Sequence, residues 1–87
     1  MFDHVIVGVH ITNRAERAGD VQQILTEYGR CIRTRLGLHP IQGEEASSRG
    51  LILLDLVGSR DDADAMCGQL RRLAGIQVQR MYFSEPE

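Results

Sequence analysis

The sequence predicts an α+β fold in which a four-stranded antiparallel sheet carries two helices on one of its faces, in the order βαββαβ. Three observations lead there. The hydrophobic period is two over residues 4–12, helical over 14–28, two again over 31–38 and 50–57, helical over 59–74, and two over 76–83. Gly29 and Gly75 stand just past the two helical runs, where a helix is commonly stopped. The length, 87 residues, suits one domain with a core of about 4–83 and a polar tail at 84–87. Two β–α connections of this kind make the ferredoxin-like sandwich, and right-handed crossovers leave few competing topologies.

Each element has its own local reason. Residues 4–12 are rich in β-branched side chains; Val5, Val7, Val9 and Ile11 share one face, and His4, Ile6, Gly8 and His10 the other. Asn13 follows as a candidate N-cap, able to accept an orphan backbone N–H. In the first helical run Ala18, Val21, Leu25 and Tyr28 recur at three- and four-residue spacing, with Ile24 beside them. In the second strand Ile32, Thr34, Leu36 and Leu38 point one way, and Cys31, Arg33 and Arg35 the other. Pro40 ends this strand or confines it to a sheet edge. Residues 41–49, with Gly43, Glu44, Glu45, Ser47 and Ser48, read as a solvated hairpin loop.

The third strand, 50–57, is the most apolar run. Ile52, Leu54 and Leu56 share one face; Leu51, Leu53, Asp55 and Val57 share the other, and the charge of Asp55 marks that face as the outer one. Ser59 opens the second helix with a shortened capping box ending in Asp62. Asp61, Asp62 and Asp64 in the first turn, and Arg71 and Arg72 in the last, have the signs that the helix dipole favours. Ala63, Met66, Cys67, Leu70, Leu73 and Ala74 form its apolar stripe.

Composition excludes several function classes. A chain this short hides only roughly 60–65% of its extended-chain surface on folding, which rules out a two-domain enzyme with a deep cofactor cleft. All ten basic residues are arginine, against twelve acidic ones. A net charge of −2 without a basic run gives no expectation of direct nucleic-acid binding, because phosphate attraction needs clustered cations. No apolar stretch approaches the ~20 residues of a membrane span. No basic segment followed by an apolar run marks a secretory signal. Cytoplasmic placement is therefore expected, with Cys31 and Cys67 as free thiols.

Two helices cover one face of a four-stranded sheet, so the other face is the informative surface. The strand parities place His4, Ile6, Gly8 and His10 on it, with Cys31, Arg33 and Arg35, then Leu51, Leu53 and Asp55, then Gln77, Gln79 and Met81. Its centre is apolar, and an isologous contact between copies of the chain is expected there, or at a sheet edge. Ile6, Arg33, Leu51, Leu53 and Asp55 are the candidate interface residues; Arg33 or Arg35 can pair with Asp55 across neighbouring strands.

Candidates for chemistry are few. His4 and His10 are six residues apart on one strand, hence ~20 Å at ~3.3 Å per residue, and cannot hold one ion. His10 and His39 lie two strand spacings of ~4.8 Å apart. No metal or other cofactor is expected within one chain. Asp61, Asp62 and Asp64 are accounted for by capping, and Cys31 lacks a paired base. No nucleophile elbow, P-loop, HExxH or GxGxxG motif occurs. The turn Thr12-Asn13-Arg14 exposes backbone N–H groups and a cation at a helix N-terminus, which suits an anion. Asn13 and Arg14, with His10 nearby, are the candidate ligand-binding residues; plain capping by Asn13 is the competing reading.

Three stretches carry a family resemblance: Val5-Ile-Val-Gly-Val-His-Ile-Thr-Asn-Arg; Ile32-Arg-Thr-Arg-Leu-Gly-Leu-His-Pro before an acidic turn and the third strand; and Met66-Cys-Gly-Gln-Leu-Arg-Arg-Leu-Ala-Gly-Ile-Gln-Val-Gln-Arg. Together, over roughly residues 4–83, they resemble the iron-only hydrogenase system regulator family. That family is similar in fold to the C-terminal domain of the nickel-responsive repressor and to amino-acid-binding ACT domains. The resemblance implies an ACT-like oligomer with a regulatory role beside hydrogenase maturation. The repressor's nickel site uses a His-x-His pair, which is absent here, so its ligands have no counterpart. The repressor also carries a DNA-binding arm ahead of this domain; with the first strand starting at His4, direct promoter binding is not expected.

The expectation is thus a non-enzymatic regulatory module, a dimer or tetramer, able to bind a small-molecule or anion effector at a subunit boundary. The alternative is a metal sensor whose ligands, from His10, His39 or Cys31, come from two chains. A third reading, an enzyme of the small dimeric α+β barrel type, needs His or Asp lining a pocket between sheet and helices, where the parities put aliphatic side chains.

Overall fold

The computed structural model describes residues 4–38 and 50–84, apart from the side chains at 14 and 15. The elements are β1 (His4–Ile11), α1 (Arg14–Glu27), a 3₁₀ turn (Gly29–Cys31), β2 (Ile32–Leu38), β3 (Gly50–Leu56), α2 (Arg60–Arg71) and β4 (Ile76–Phe83). The strands pair antiparallel in the order β2-β3-β1-β4, and both helices lie on one face. This is the ferredoxin-like architecture that the periodicity predicts. His39, Pro40 and the loop expected at 41–49 lie outside the described residues.

The core sits between sheet and helices. Val5, Val7, Val9 and Ile11 of β1 and Leu54 and Leu56 of β3 meet Val21, Ile24 and Leu25 of α1 and Ala63, Met66, Cys67 and Leu70 of α2. Each fully buried Val, Leu or Met side chain is worth about 1.5–3 kcal/mol. Ala74, read as part of the α2 stripe, is exposed, because the helix ends at Arg71 and Ala74 falls in the turn beyond it.

Helix ends differ from the sequence expectation at several positions. Asn13 occupies the N-cap of α1, but its side chain makes no capping bond; its carbonyl alone accepts from Glu16 and Arg17 N–H. Gly29 follows α1 without a positive φ, because the chain continues into the 3₁₀ turn instead of a left-handed cap. Ser59 behaves as read: its hydroxyl accepts from Asp62 N–H at 3.1 Å. Asp64 lies past the first turn of α2 and pairs instead with Arg80 of β4.

The main correction concerns β2. The register pairs Ile32 with Leu56 but Thr34 with Asp55, so Arg33 is an extra residue in a β-bulge. One inserted residue moves every later side chain to the opposite face. Thr34, Leu36 and Leu38 therefore share the open face with Leu53 and Leu51, while Arg35 stands opposite buried Leu54 and donates to Gln22 Oε1 of α1 at 2.9 Å. Cys31, expected on the open face, precedes the strand and is buried on the helix side, its thiol 3.6 Å from Asp62 Oδ2.

Candidate functional site: the open face of the sheet

The register sets out this face as cross-strand rows. Leu38, Leu51, His10 and Gln77 form the first; Leu36, Leu53, Gly8 and Gln79 the second; Thr34, Asp55, Ile6 and Met81 the third. His4 and Phe83 pair beyond them. At the middle the missing side chain of Gly8 leaves a hollow of about 360 Å³, floored by Ile6, Leu51 and Leu53 and rimmed by His10, Gln77, Gln79 and Met81. A Cβ on Gly8 would meet Leu53 Cδ2 at 3.7 Å, so glycine here opens space without being sterically compelled.

Among the candidate interface residues, Ile6, Leu51 and Leu53 line the hollow. Arg33 and Asp55 stand beside it as an ion pair with Nε 3.8 Å from Oδ2. Arg35, the other candidate partner of Asp55, is on the far face. Asp55 Oδ1 and His10 Nδ1 are buried and have no hydrogen-bond partner among the described residues. A buried polar atom left unpaired costs about 1–3 kcal/mol, so these two atoms mark a surface whose polar groups are unfinished.

The bulge adds what the sequence reading missed. Leu36 and Leu38 join this face, and Met81 and Phe83 extend it; these four are 52%, 41%, 55% and 52% exposed. The period-two pattern of Leu36 and Leu38 was visible, but its phase was not, since no glycine or proline marks the bulge at Arg33. Tyr82, on the helix side of the same strand, is covered by guanidinium groups, with Arg60 at 4.5 Å and Arg80 at 5.4 Å from its ring centre.

The candidate ligand residues are placed separately. His10 is in the hollow, whereas Asn13 is exposed at the start of α1. The side chain of Arg14 is outside the described set. A second, smaller crevice lies at Glu27, Tyr28, Arg30, Cys31 and Asp62. There burial first, and the Asp62 carboxylate second, push the Cys31 thiol up from its ordinary value, which disfavours the nucleophilic thiolate. Among the described residues no three His, Cys, Asp or Glu side chains are placed to hold one ion, and no helix is long and apolar enough to cross a membrane.

Comparison with known proteins fits this geometry. The uncharacterized protein TM1266 from Thermotoga maritima has a similar structure, with a TM-score of 0.82 at 21% identity over 97% of this chain and 100% of that one. The regulatory subunit of aspartate kinase from Thermus flavus aligns at a TM-score of 0.59 and 24% identity, covering 95% of this chain and 52% of that one. At these identities the likeness is one of fold. A search of curated protein sequences finds no match. The likeness to the nickel-responsive repressor stays a sequence expectation. A family model does match residues 4–80, which is nearly the whole domain. The chain therefore belongs to the TM1266-like family, described as "Iron-only hydrogenase system regulator, putative".

Proposed function

We propose that the chain is a non-enzymatic regulatory module of the iron-only hydrogenase system that works as a homo-oligomer assembled through the open face of its sheet. The observation that carries this reading is the apolar surface of Leu36, Leu38, Leu51, Leu53, Ile6 and Met81 on a face that no described element covers. Contiguous apolar patches of this kind are uncommon on monomers and mark interaction sites. The family description supports the regulatory part. The lining of the hollow, chiefly aliphatic with two glutamines, one histidine and Arg80, suits packing and hydrogen bonding to a small effector at the subunit boundary more than acid–base chemistry.

Sedimentation velocity tests the assembly. The wild-type chain is expected to sediment as a dimer or larger, and Leu53→Glu as a monomer with an unchanged circular dichroism spectrum. A wild-type chain that stays monomeric at high micromolar concentration, or a Leu53→Glu variant that assembles like wild type, refutes the use of this face.

A further inference from the structure

On the reading that two copies meet through the open face, we infer that their two-fold axis runs along the apolar diagonal of the sheet, so that Gln77 and Gln79 of one copy lie over Arg33 and Asp55 of the other. The rows divide the face into four corners. Leu36, Leu38, Leu51 and Leu53 fill one, and Ile6, Met81 and Phe83, with His4 at the margin beside Phe83, fill the corner diagonally opposite. The other two corners are polar: His10, Gln77 and Gln79 at one, and Arg33, Thr34 and Asp55 at the other.

Stacking two identical faces about an in-plane two-fold tests each simple axis against that pattern. An axis along the strands exchanges β2 with β4 and lays Leu36 and Leu38 on Gln79 and Gln77. An axis across the strands exchanges the first and third rows and lays Leu51 on Asp55. Both press polar groups into aliphatic ones. An axis along the polar diagonal passes close to Asp55 and brings the carboxylates of two copies together, which like-charge repulsion opposes.

The apolar diagonal avoids all three faults. Its aliphatic groups meet their own equivalents, and each polar corner meets the opposite one. Asp55 Oδ1, buried and without a partner among the described residues, then faces the side-chain N–H donors of Gln79, while the Arg33 guanidinium faces amide oxygens. With strands ~4.8 Å apart and ~3.3 Å of rise per residue, this diagonal lies about 35° from the strands. The strands of the two copies then cross at about 70°, within the near-orthogonal class of sheet packing.

Charge at Gln79 tests the axis by sign. Dimer dissociation constants are measured by analytical ultracentrifugation for the wild type, Gln79→Lys and Gln79→Glu, with circular dichroism as the check on folding. Gln79 is exposed, so neither change burdens the core. The expected result is dimerisation about fivefold tighter for Gln79→Lys, which faces Asp55 of the second copy, and about fivefold weaker for Gln79→Glu. The gain from lysine is expected to vanish when Asp55→Asn is added. Weakening by both substitutions means that Gln79 meets its own equivalent across the polar diagonal, and overturns the inference. No effect from either places Gln79 outside the contact and also overturns it. Both of these results leave a dimer through the open face intact, whereas a monomeric wild-type chain removes the proposed self-association itself.

Discussion

Replacing Gly75 by alanine should destabilise the fold by about 2–3 kcal/mol, through two separable causes. Gly75 has φ +79°, in the left-handed region, where an L-residue costs about 1–2 kcal/mol. A Cβ there would also lie 2.7 Å from Thr12 Oγ1. That hydroxyl donates to Gly75 O at 2.9 Å, and the Thr12 N–H donates to the same oxygen at 2.9 Å, tying the end of β1 to the turn before β4. To admit the methyl group Thr12 must rotate and give up its hydroxyl bond, a loss of about 1 kcal/mol. Urea unfolding of the wild type, Gly75→Ala, Thr12→Ala and the double variant forms a cycle. With a slope near 1 kcal/mol per molar, the midpoint for Gly75→Ala should fall by about 2–3 M. In the Thr12→Ala background the same substitution should cost only the backbone part, about 1–2 kcal/mol. An equal cost in both backgrounds would show that the contact with Thr12 contributes nothing, and a cost near zero would show that the positive φ is not obligatory.

Other expectations follow from single contacts. Ser59→Ala should cost about 1 kcal/mol by urea unfolding, since it removes the bond to Asp62 N–H. Asn13→Ala, whose side chain makes no capping bond, should fall within about 0.5 kcal/mol of wild type; equal losses at the two positions would contradict the caps described. Burial, then the Asp62 charge, raises the Cys31 thiol, and burial likewise raises that of Cys67. The folded chain therefore keeps these protons after the unfolded chain starts to lose them. The stability they confer is complete below the unfolded thiol range of about 8.5 and falls as pH rises through the folded values. Asp62→Asn should shift the iodoacetamide labelling midpoint of Cys31 to lower pH, and an unmoved midpoint would exclude the carboxylate as a cause.

Much of the architecture was legible because a strand or helix with one buried side must repeat its apolar residues at its own period. β1 shows this most plainly: Val5, Val7, Val9 and Ile11 are buried, and His4, Ile6, Gly8 and His10 face outward, as the alternation requires. The same holds for Leu54 and Leu56 in β3, for Ile76 and Val78 in β4, and for Met66, Cys67 and Leu70 in α2. The Arg33–Asp55 pair was also foreseeable, from neighbouring strands with opposite charges on one face.

β2 was different. Its residues alternate, but alternation gives two equivalent phases, and the bulge at Arg33 selects the one that local sequence does not mark. The choice is made by tertiary contact. Ile32 packs against the core and Cys31 is buried near the start of α2, where its thiol meets Asp62, while Leu36 and Leu38 are turned away from the helices. One extra residue reconciles the two halves of the strand. The sequence by itself thus determined the order of elements, the helix stops and the faces of three strands, because these depend on periodicity and local backbone preference. Only the tertiary structure decided the face of β2, the hollow over Gly8 and the diagonal of apolar corners, because each depends on side chains brought together from strands distant in sequence.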